Sequence, residues 1–474
     1  MNRHTFTPRD TVACLWNTLS LPLSALDSLN LVQDGDFFPS SFKVDHLAQS
    51  TIALSALAAA LFHATRNDKS VPRITVSAEH ACVEFKSERL YVLNGKPAPS
   101  SWGTIGGLHK AKDGYVRMHD SFPSHRKNAL RILDLKEGAT REDVARKMLD
   151  WKAIDLETTA FRRGAVIVAL RSFGEWGALP QAQAVADLPI LIDKAAEGKP
   201  YIGSTKGKKC LSGIRVVEMS RVIAAPVAGK TLAAHGADVI WITSPNLPDL
   251  PDLDRDLARG KRTVQLDIKN SEDKAKLLKL LRTADVFIQG YRPGSLAGQG
   301  LSTEELVRLN PNLIIANLSA WGLEGPWAQN RGFDSLVQTA SGINVADAER
   351  FGAGEPARVL PCQAFDHGAG YLLATGVTAA LYKRAVDGGA YEVNVSLAGV
   401  MKYIRSLGQY SEKTGFGRKD FTKPEDVELY LESRESGFGE LKAVKHAARI
   451  EGINVGWDVM PKPLGSDEPQ WLQG

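Results

Sequence analysis

The chain has 474 residues, 43% of them hydrophobic, enough for a sizeable core and two or three domains. Its 58 basic and 54 acidic residues leave a net charge of +4, which makes no case for a nucleic-acid or membrane partner. The four cysteines, Cys14, Cys82, Cys210 and Cys362, are scattered without metal-ligand spacing. No metal is expected, and the thiols read as reduced.

The first stretch, MNRHTFTPRDTVACLW, carries Asp10 where a signal peptide needs an apolar core. No apolar run is expected to reach membrane-spanning length, and the final WLQG is no Ser-Lys-Leu address, so a cytoplasmic protein is expected. One or two helices are predicted over 11–31, then an alanine-rich helix over 45–65. Residues 73–85 begin strand-like and end mixed. Residues 91–112 are loop-like and include Gly106-Gly107, a turn by local pattern. A strand over 114–119 and helices over 123–133, 140–153 and 156–170 follow, with Thr140 as an N-cap. The block 100–192 reads as a small α+β domain. A Gly/Lys-rich linker over 199–210 closes it.

From Leu211 the pattern alternates. Strands are predicted over 214–219, 237–242, 263–268, 286–289 and 313–318, and helices over 227–235, 271–284 and 303–310. Strands alternating with helices predict an α/β fold, a doubly wound parallel sheet (Rossmann-like) forming the large domain. No GxGxxG follows the first strand, so a dinucleotide is not indicated. The tail from 411 onward is charged at first, then Pro-rich and strand-poor.

Asp366 stands before a helix predicted over 371–385, with His367, Gly368 and Gly370 between. Local pattern allows two roles: an N-cap, or a carboxylate nucleophile beside small residues that let a large substrate approach. Asp45-His46, Ala48, Ala53, Ala58 and Ala59 match Asp366-His367, Ala369, Ala374, Ala379 and Ala380 at one constant offset. After a short gap Val76-Ser77 matches Val395-Ser396. Residues 1–90 therefore read as a truncated internal repeat. They are expected to pack on the large domain, being too short to bury their own apolar helix.

The ordered motifs carry a resemblance. Arg221-Val222-Ile223-Ala224-Ala225-Pro226 follows the first strand, and Gly236-Ala237-Asp238-Val239 follows the first helix. Arg259-Gly260-Lys261-Arg262, Tyr291-Arg292-Pro293-Gly294, Gly325-Pro326-Trp327, Gly332-Phe333-Asp334 and Gln338-Thr339-Ala340-Ser341-Gly342 then lead to Asp366. In this order they resemble the family III CoA-transferases, which include formyl-CoA and carnitine CoA-transferases and α-methylacyl-CoA racemase. The resemblance implies a large CoA-binding domain over 205–405, a small domain over 100–192 and an extension over 406–474. It implies acyl-CoA and carboxylate substrates, coenzyme A as substrate with no resident cofactor, and a homodimer. It makes Asp366 the nucleophile, which would form an acyl anhydride and then an aspartyl-CoA thioester. Val222, Ala224, Ala225, Gly290 and Tyr291 fall where the family wraps CoA. Lys261 and Arg262 are candidates for its phosphates, and Gly106 and Gly107 for a loop over the aspartate.

Two departures bear on function. Thr243-Ser244-Pro245 replaces a Glu-Arg-Pro common in the family, removing one phosphate contact. Phe333 stands where the racemase branch has a histidine, so a two-base proton swap lacks one base. A CoA-transferase is therefore expected, with a racemase-like isomerase or an idle CoA-binding protein as alternatives.

Overall fold

The computed structural model describes residues 2–203 and 207–472; residues 204–206 of the expected linker, Met1 and the last two residues of WLQG lie outside them. In chain order the elements that build the site are α1 (Val44–Asn67), β1 (Ile74–Ser77), α2 (Ala78–Glu84), β2 (Ile190–Ala196), β3 (Arg215–Met219), α3 (Ala224–Ala234), β4 (Asp238–Thr243), β5 (Lys261–Gln265), α4 (Ser271–Leu281), β6 (Val286–Gln289), β7 (Ile314–Ser319), α5 (Asp334–Ala340), α6 (Ala364–Asp387), β8 (Ala390–Ser396) and α7 (Leu397–Ser406).

The large sheet has seven strands in the order β5-β4-β3-β6-β7-β8-β2. All pairs are parallel except the edge pair β8–β2. Strands buried on both faces read as near-continuous apolar runs, which is why VVEM, VIWI and VFI carry so few charges. Successive side chains then divide between two helical layers. Val216, Val239, Val286 and Ile314 join the core that holds α1, α3 and α6. Val217, Ile240, Phe287 and Ile315 join Leu277, Leu280 and Leu281 of α4.

Residues 107–169 form a second, smaller layer. Strands Gly107–Lys110, Tyr115–Met118 and Ile167–Ala169 pair antiparallel beneath helices Pro123–Ile132, Arg141–Met148 and Ala153–Arg163. Thr140 caps the second helix in a reciprocal box with Asp143. The helix expected over 156–170 stops instead at Arg163. Gly164 takes φ 70° as a left-handed C-cap, and the β-branched run beyond it becomes the third strand.

Three further expectations are corrected. Helix α6 begins at Ala364, so Asp366 lies inside its first turn rather than before it. Gly368 and Gly370, expected ahead of the helix, lie within it and serve close packing. A Cβ at Gly370 would stand 2.5 Å from Val227 Cβ of α3, and one at Gly368 would stand 3.2 Å from Leu47 Cδ2 of α1. Helix α1 is, by length and composition alone, apolar enough to cross a membrane; its apolar surface is buried along α6. The tail holds strands Leu431–Ser436, Gly439–Val444 and Ala448–Ile450, the last pairing with β1. The first of these, LESRES, has a single apolar residue, the buried Leu431, so it shows no apolar alternation.

Candidate active site

A cavity of about 710 Å³ opens at the C-terminal ends of β3, β4, β6 and β7. This is where the strand order reverses, between β3 and β6, and connections leave the sheet in opposite directions. The loop after β3 turns through Val222 at φ 74°, a left-handed conformation that a β-branched side chain rarely takes. That turn brings Val222, Ala224 and Ala225, with the first turn of α3, to the cavity wall. Gly290 and Tyr291, directly after β6, form the facing wall, and Ser244 lines it as well.

Asp366 reaches this cavity from the first turn of α6, with only 6% of its surface exposed. It is not the helix cap. Gln363 holds that position without a side-chain bond to the helix's own N–H groups, and the carboxylate of Asp334, at the start of α5, caps them instead. Asp334 Oδ2 accepts from the backbone N–H of Phe365 (2.7 Å) and of Asp366 (3.1 Å), while Oδ1 accepts from Gln338 Nε2 (2.5 Å). Nothing among the described residues donates to the Asp366 carboxylate. Burial raises the proton affinity of both acids. For Asp366 the neighbouring Asp334 and Glu88 push further in that direction, against Arg89. Asp334 has three donors and Asp366 has none, so of the two acids Asp366 takes up a proton more readily.

The cavity is otherwise basic. Arg221, Lys269, Arg292 and Arg331 line it, and no carboxylate pairs with any of them among the described residues. Arg221 Nη1 donates to Pro248 O at 2.9 Å, and its guanidinium lies over the Phe122 ring at 5.0 Å. Arg292 Nη1 donates to Gln329 O at 3.1 Å. Asp267 is the other acidic side chain on the wall, and it accepts from Asn246 Nδ2 and the Lys269 N–H.

Two expected phosphate ligands are elsewhere. Lys261 is fully buried under the sheet, where its Nζ meets Glu218 Oε1 at 2.9 Å and Pro226 O at 2.7 Å. Arg262 faces the opposite end of the strands and forks onto Asp238. Strand β5 already starts at Lys261, so the pair is strand rather than basic turn, and each cation meets its own acid. Gly106 and Gly107 do not line the cavity either. Their loop wraps Asp120, whose carboxylate accepts from the Ile105 N–H at 2.9 Å. The small layer instead contributes Phe122 and His125. Phe333 stacks on His119 at 3.9 Å, with His125 at 5.7 Å. Burial, with Arg331 and Arg221 nearby, pushes His125 down to about 4, so the ring is neutral at pH 7. Among the described residues no cluster of three or more His, Cys, Asp or Glu is placed to hold a metal ion.

Residues 211–420 match the model of CoA-transferase family III, and this span contains every cavity residue named above except Phe122 and His125. Over this span the chain is similar to that family. An acyl-CoA transferase of Gibberella moniliformis is 29% identical over 270 residues, covering 55% of this chain and 48% of its own. A formyl-CoA:oxalate CoA-transferase of Rhodopseudomonas palustris is 32% identical over 210 residues, covering 42% and 48%. A succinate–glutarate CoA-transferase of Agrobacterium fabrum is 34% identical over 215 residues, covering 42% and 53%. The chain spans about half the length of the curated relatives it matches. In this span two of the cavity arginines are motif members (Arg221 after the first strand, Arg292 before Pro293), and Arg331 directly precedes the Gly332-Phe333-Asp334 motif. Nothing in the sequence marks their lack of acidic partners. Asp334 as the cap of α6 was likewise hidden, because the contact joins two helices.

Proposed function

We propose that this chain transfers coenzyme A between an acyl-CoA thioester and a carboxylic acid, with Asp366 as the nucleophile. One observation carries the reading: an unbonded carboxylate faces a cavity whose wall holds four cations without acidic partners. Cations gathered in this way repel one another until a polyanion binds, and the diphosphate and phosphate of CoA supply that charge. Val222, Ala224, Ala225, Gly290 and Tyr291 would receive the CoA chain, with Arg221, Lys269, Arg292 and Arg331 in place of Lys261 and Arg262. The parallel strands and switch-point cavity support a Rossmann-like large domain over 205–405 joined by 1–90, with 100–192 as the small domain.

In this reading ionised Asp366 attacks the thioester carbonyl, and the developing oxyanion draws on free N–H groups at the start of α3. The C–S bond breaks, and CoA leaves as thiolate. The thiolate then attacks the Asp366 carbonyl of the mixed anhydride, releasing the first acid and leaving an aspartyl-CoA thioester. An acceptor carboxylate attacks that thioester, and the thiolate returns to the acceptor's acyl carbon, regenerating Asp366. Incubation with acetyl-CoA or succinyl-CoA, followed by acid digestion and mass analysis, tests the scheme. The expected result is CoA or acyl mass on the Asp366 peptide; an unmodified peptide with bound CoA would favour the idle binding protein.

His125 supports a second reading, racemase-type proton exchange, because it brings a neutral imidazole to the wall where Phe333 cannot serve. Deuterium uptake at the α-carbon of a 2-methylacyl-CoA in D2O, lost in His125→Ala, would select it.

A further inference from the structure

The two copies of the repeat hold each other by exchange. Helices α1 and α6 are each 24 residues long and lie against one another. Each is followed by a strand and then a serine-capped helix: Ser77 accepts from the His80 N–H at 3.1 Å, and Ser396 from the Gly399 N–H at 3.0 Å. Shortly after α7, Tyr410 crosses to the first turn of α1, where its Oη donates to Asp45 Oδ1 at 2.8 Å. Arg418 adds an ion pair to Asp45 Oδ2 at 2.5 Å, with its guanidinium 3.6 Å from the Tyr410 ring centre. Shortly after α2, Glu88 crosses the other way, to the first turn of α6. Its Oε2 meets Nε2 of His367 at 2.9 Å, and Arg89 donates to Gln363 Oε1 at 3.0 Å.

The two clasps land one residue apart. At α1 the clasp closes on the aspartate itself and occupies both carboxylate oxygens. At α6 it closes on the histidine that follows, so the turn is gripped while the Asp366 carboxylate stays free in the cavity. We infer that Glu88, delivered by the N-terminal repeat, is the positioning residue for Asp366, and that this one-residue offset decides which aspartate reacts. The inference rests on the reading of Asp366 as nucleophile.

Glu88 and His367 are fully buried and outside the cavity wall, so Glu88 acts on Asp366 without touching substrate. The charged and titratable groups around Asp366 are Asp334 from α5, Glu88 and Arg89 from the turn Ser87–Arg89, His367 on its own helix, and Arg221, Arg331 and His125 on the cavity wall. Glu88 is the one acid among them that comes from the N-terminal repeat. Its charge makes Asp366 a more basic carboxylate, and its bond fixes the turn from which Asp366 points.

Glu88→Gln and Glu88→Asp test this, with acetyl-CoA and succinyl-CoA as probes and 13C-labelled aspartate for NMR titration. The Asp366 signal is assigned by its loss in Asp366→Asn. Glu88→Gln is expected to lower kcat about 10- to 100-fold with KM within about twofold. The acid limb of the pH profile and the Asp366 titration should both move to lower pH. Glu88→Asp should keep the charge, the titration midpoint and part of kcat. A Glu88→Gln enzyme with unchanged kcat, or with lowered kcat but an unmoved acid limb and midpoint, overturns the inference. If the wild type forms no adduct with either probe, the nucleophile reading fails, while the NMR titration still reports whether Glu88 acts on Asp366.

Discussion

Asp366→Asn removes the proposed nucleophile and a buried ionisable carboxyl in one nearly isosteric step. The backbone bond to Asp334 survives, because it comes from the main chain. Burial, Asp334 and Glu88 raise the pKa of Asp366 well above its ordinary 3.8. A carboxyl group whose folded pKa is raised contributes stability below its unfolded pKa and loses it as pH rises through the folded value. Asn stays neutral and has nothing to lose. Each unit by which such a pKa is raised is worth about 1.4 kcal/mol, and in a large chain about 1 kcal/mol moves the melting temperature by roughly 1–3 °C. The variant should therefore melt with the wild type near pH 4 and above it at pH 8. Its turnover should fall at least about 1,000-fold, the scale of losing a covalent nucleophile. Melting curves across pH and initial rates with any accepted acyl-CoA give both numbers. A melting gap that narrows toward pH 8, or turnover within tenfold of wild type, refutes the reasoning.

Asp45→Asn leaves the half-buried Arg418 with only the 3.5 Å contact to Asp36 and should cost about 1.5–3 kcal/mol of stability, read by denaturant titration, with turnover within a few-fold of wild type. Lys261→Met should likewise cost about 3–5 kcal/mol by stranding Glu218, while KM for acyl-CoA stays put; a tenfold rise in KM would return Lys261 to the CoA site. Arg331→Ala should raise KM for acyl-CoA about tenfold and flatten its salt dependence, measured by kinetics from 50 to 500 mM salt. Gly370→Ala forces a Cβ against Val227 and should destabilise by about 1–3 kcal/mol in thermal unfolding.

The parallel strands were legible because both their faces are buried, and an unbroken apolar run needs no tertiary knowledge to read. Val286–Gln289 was bounded correctly from sequence for that reason. The start of α6 was misread because glycine has two uses. Local pattern cannot tell a turn from a place where another helix comes close, and Gly370 is the latter. Asp366 is singled out by its motif neighbours, whereas Asp334 joins its surroundings through a contact 32 residues away in the chain and Glu88 through one with His367, 279 residues away. Lys261 and Arg262 show the opposite failure. A basic dipeptide suggests a phosphate, yet the acids that consume these charges, Glu218 and Asp238, lie on neighbouring strands.

The burial of α6 sets a limit on how this chain can be dissected. From Ala364 to Leu381 the helix has no exposed residue, because α1 covers one side of it and α3 another. A cut that kept only residues 211–420 would uncover a strip along a helix about 36 Å long, and with it Gly368, where Leu47 now sits. It would also discard Glu88 and His125 from around the aspartate. Such a fragment would meet solvent with the apolar surface of a folding intermediate and would be prone to aggregation. The stretch through which kinship is visible is thus smaller than the piece of chain that can stand alone.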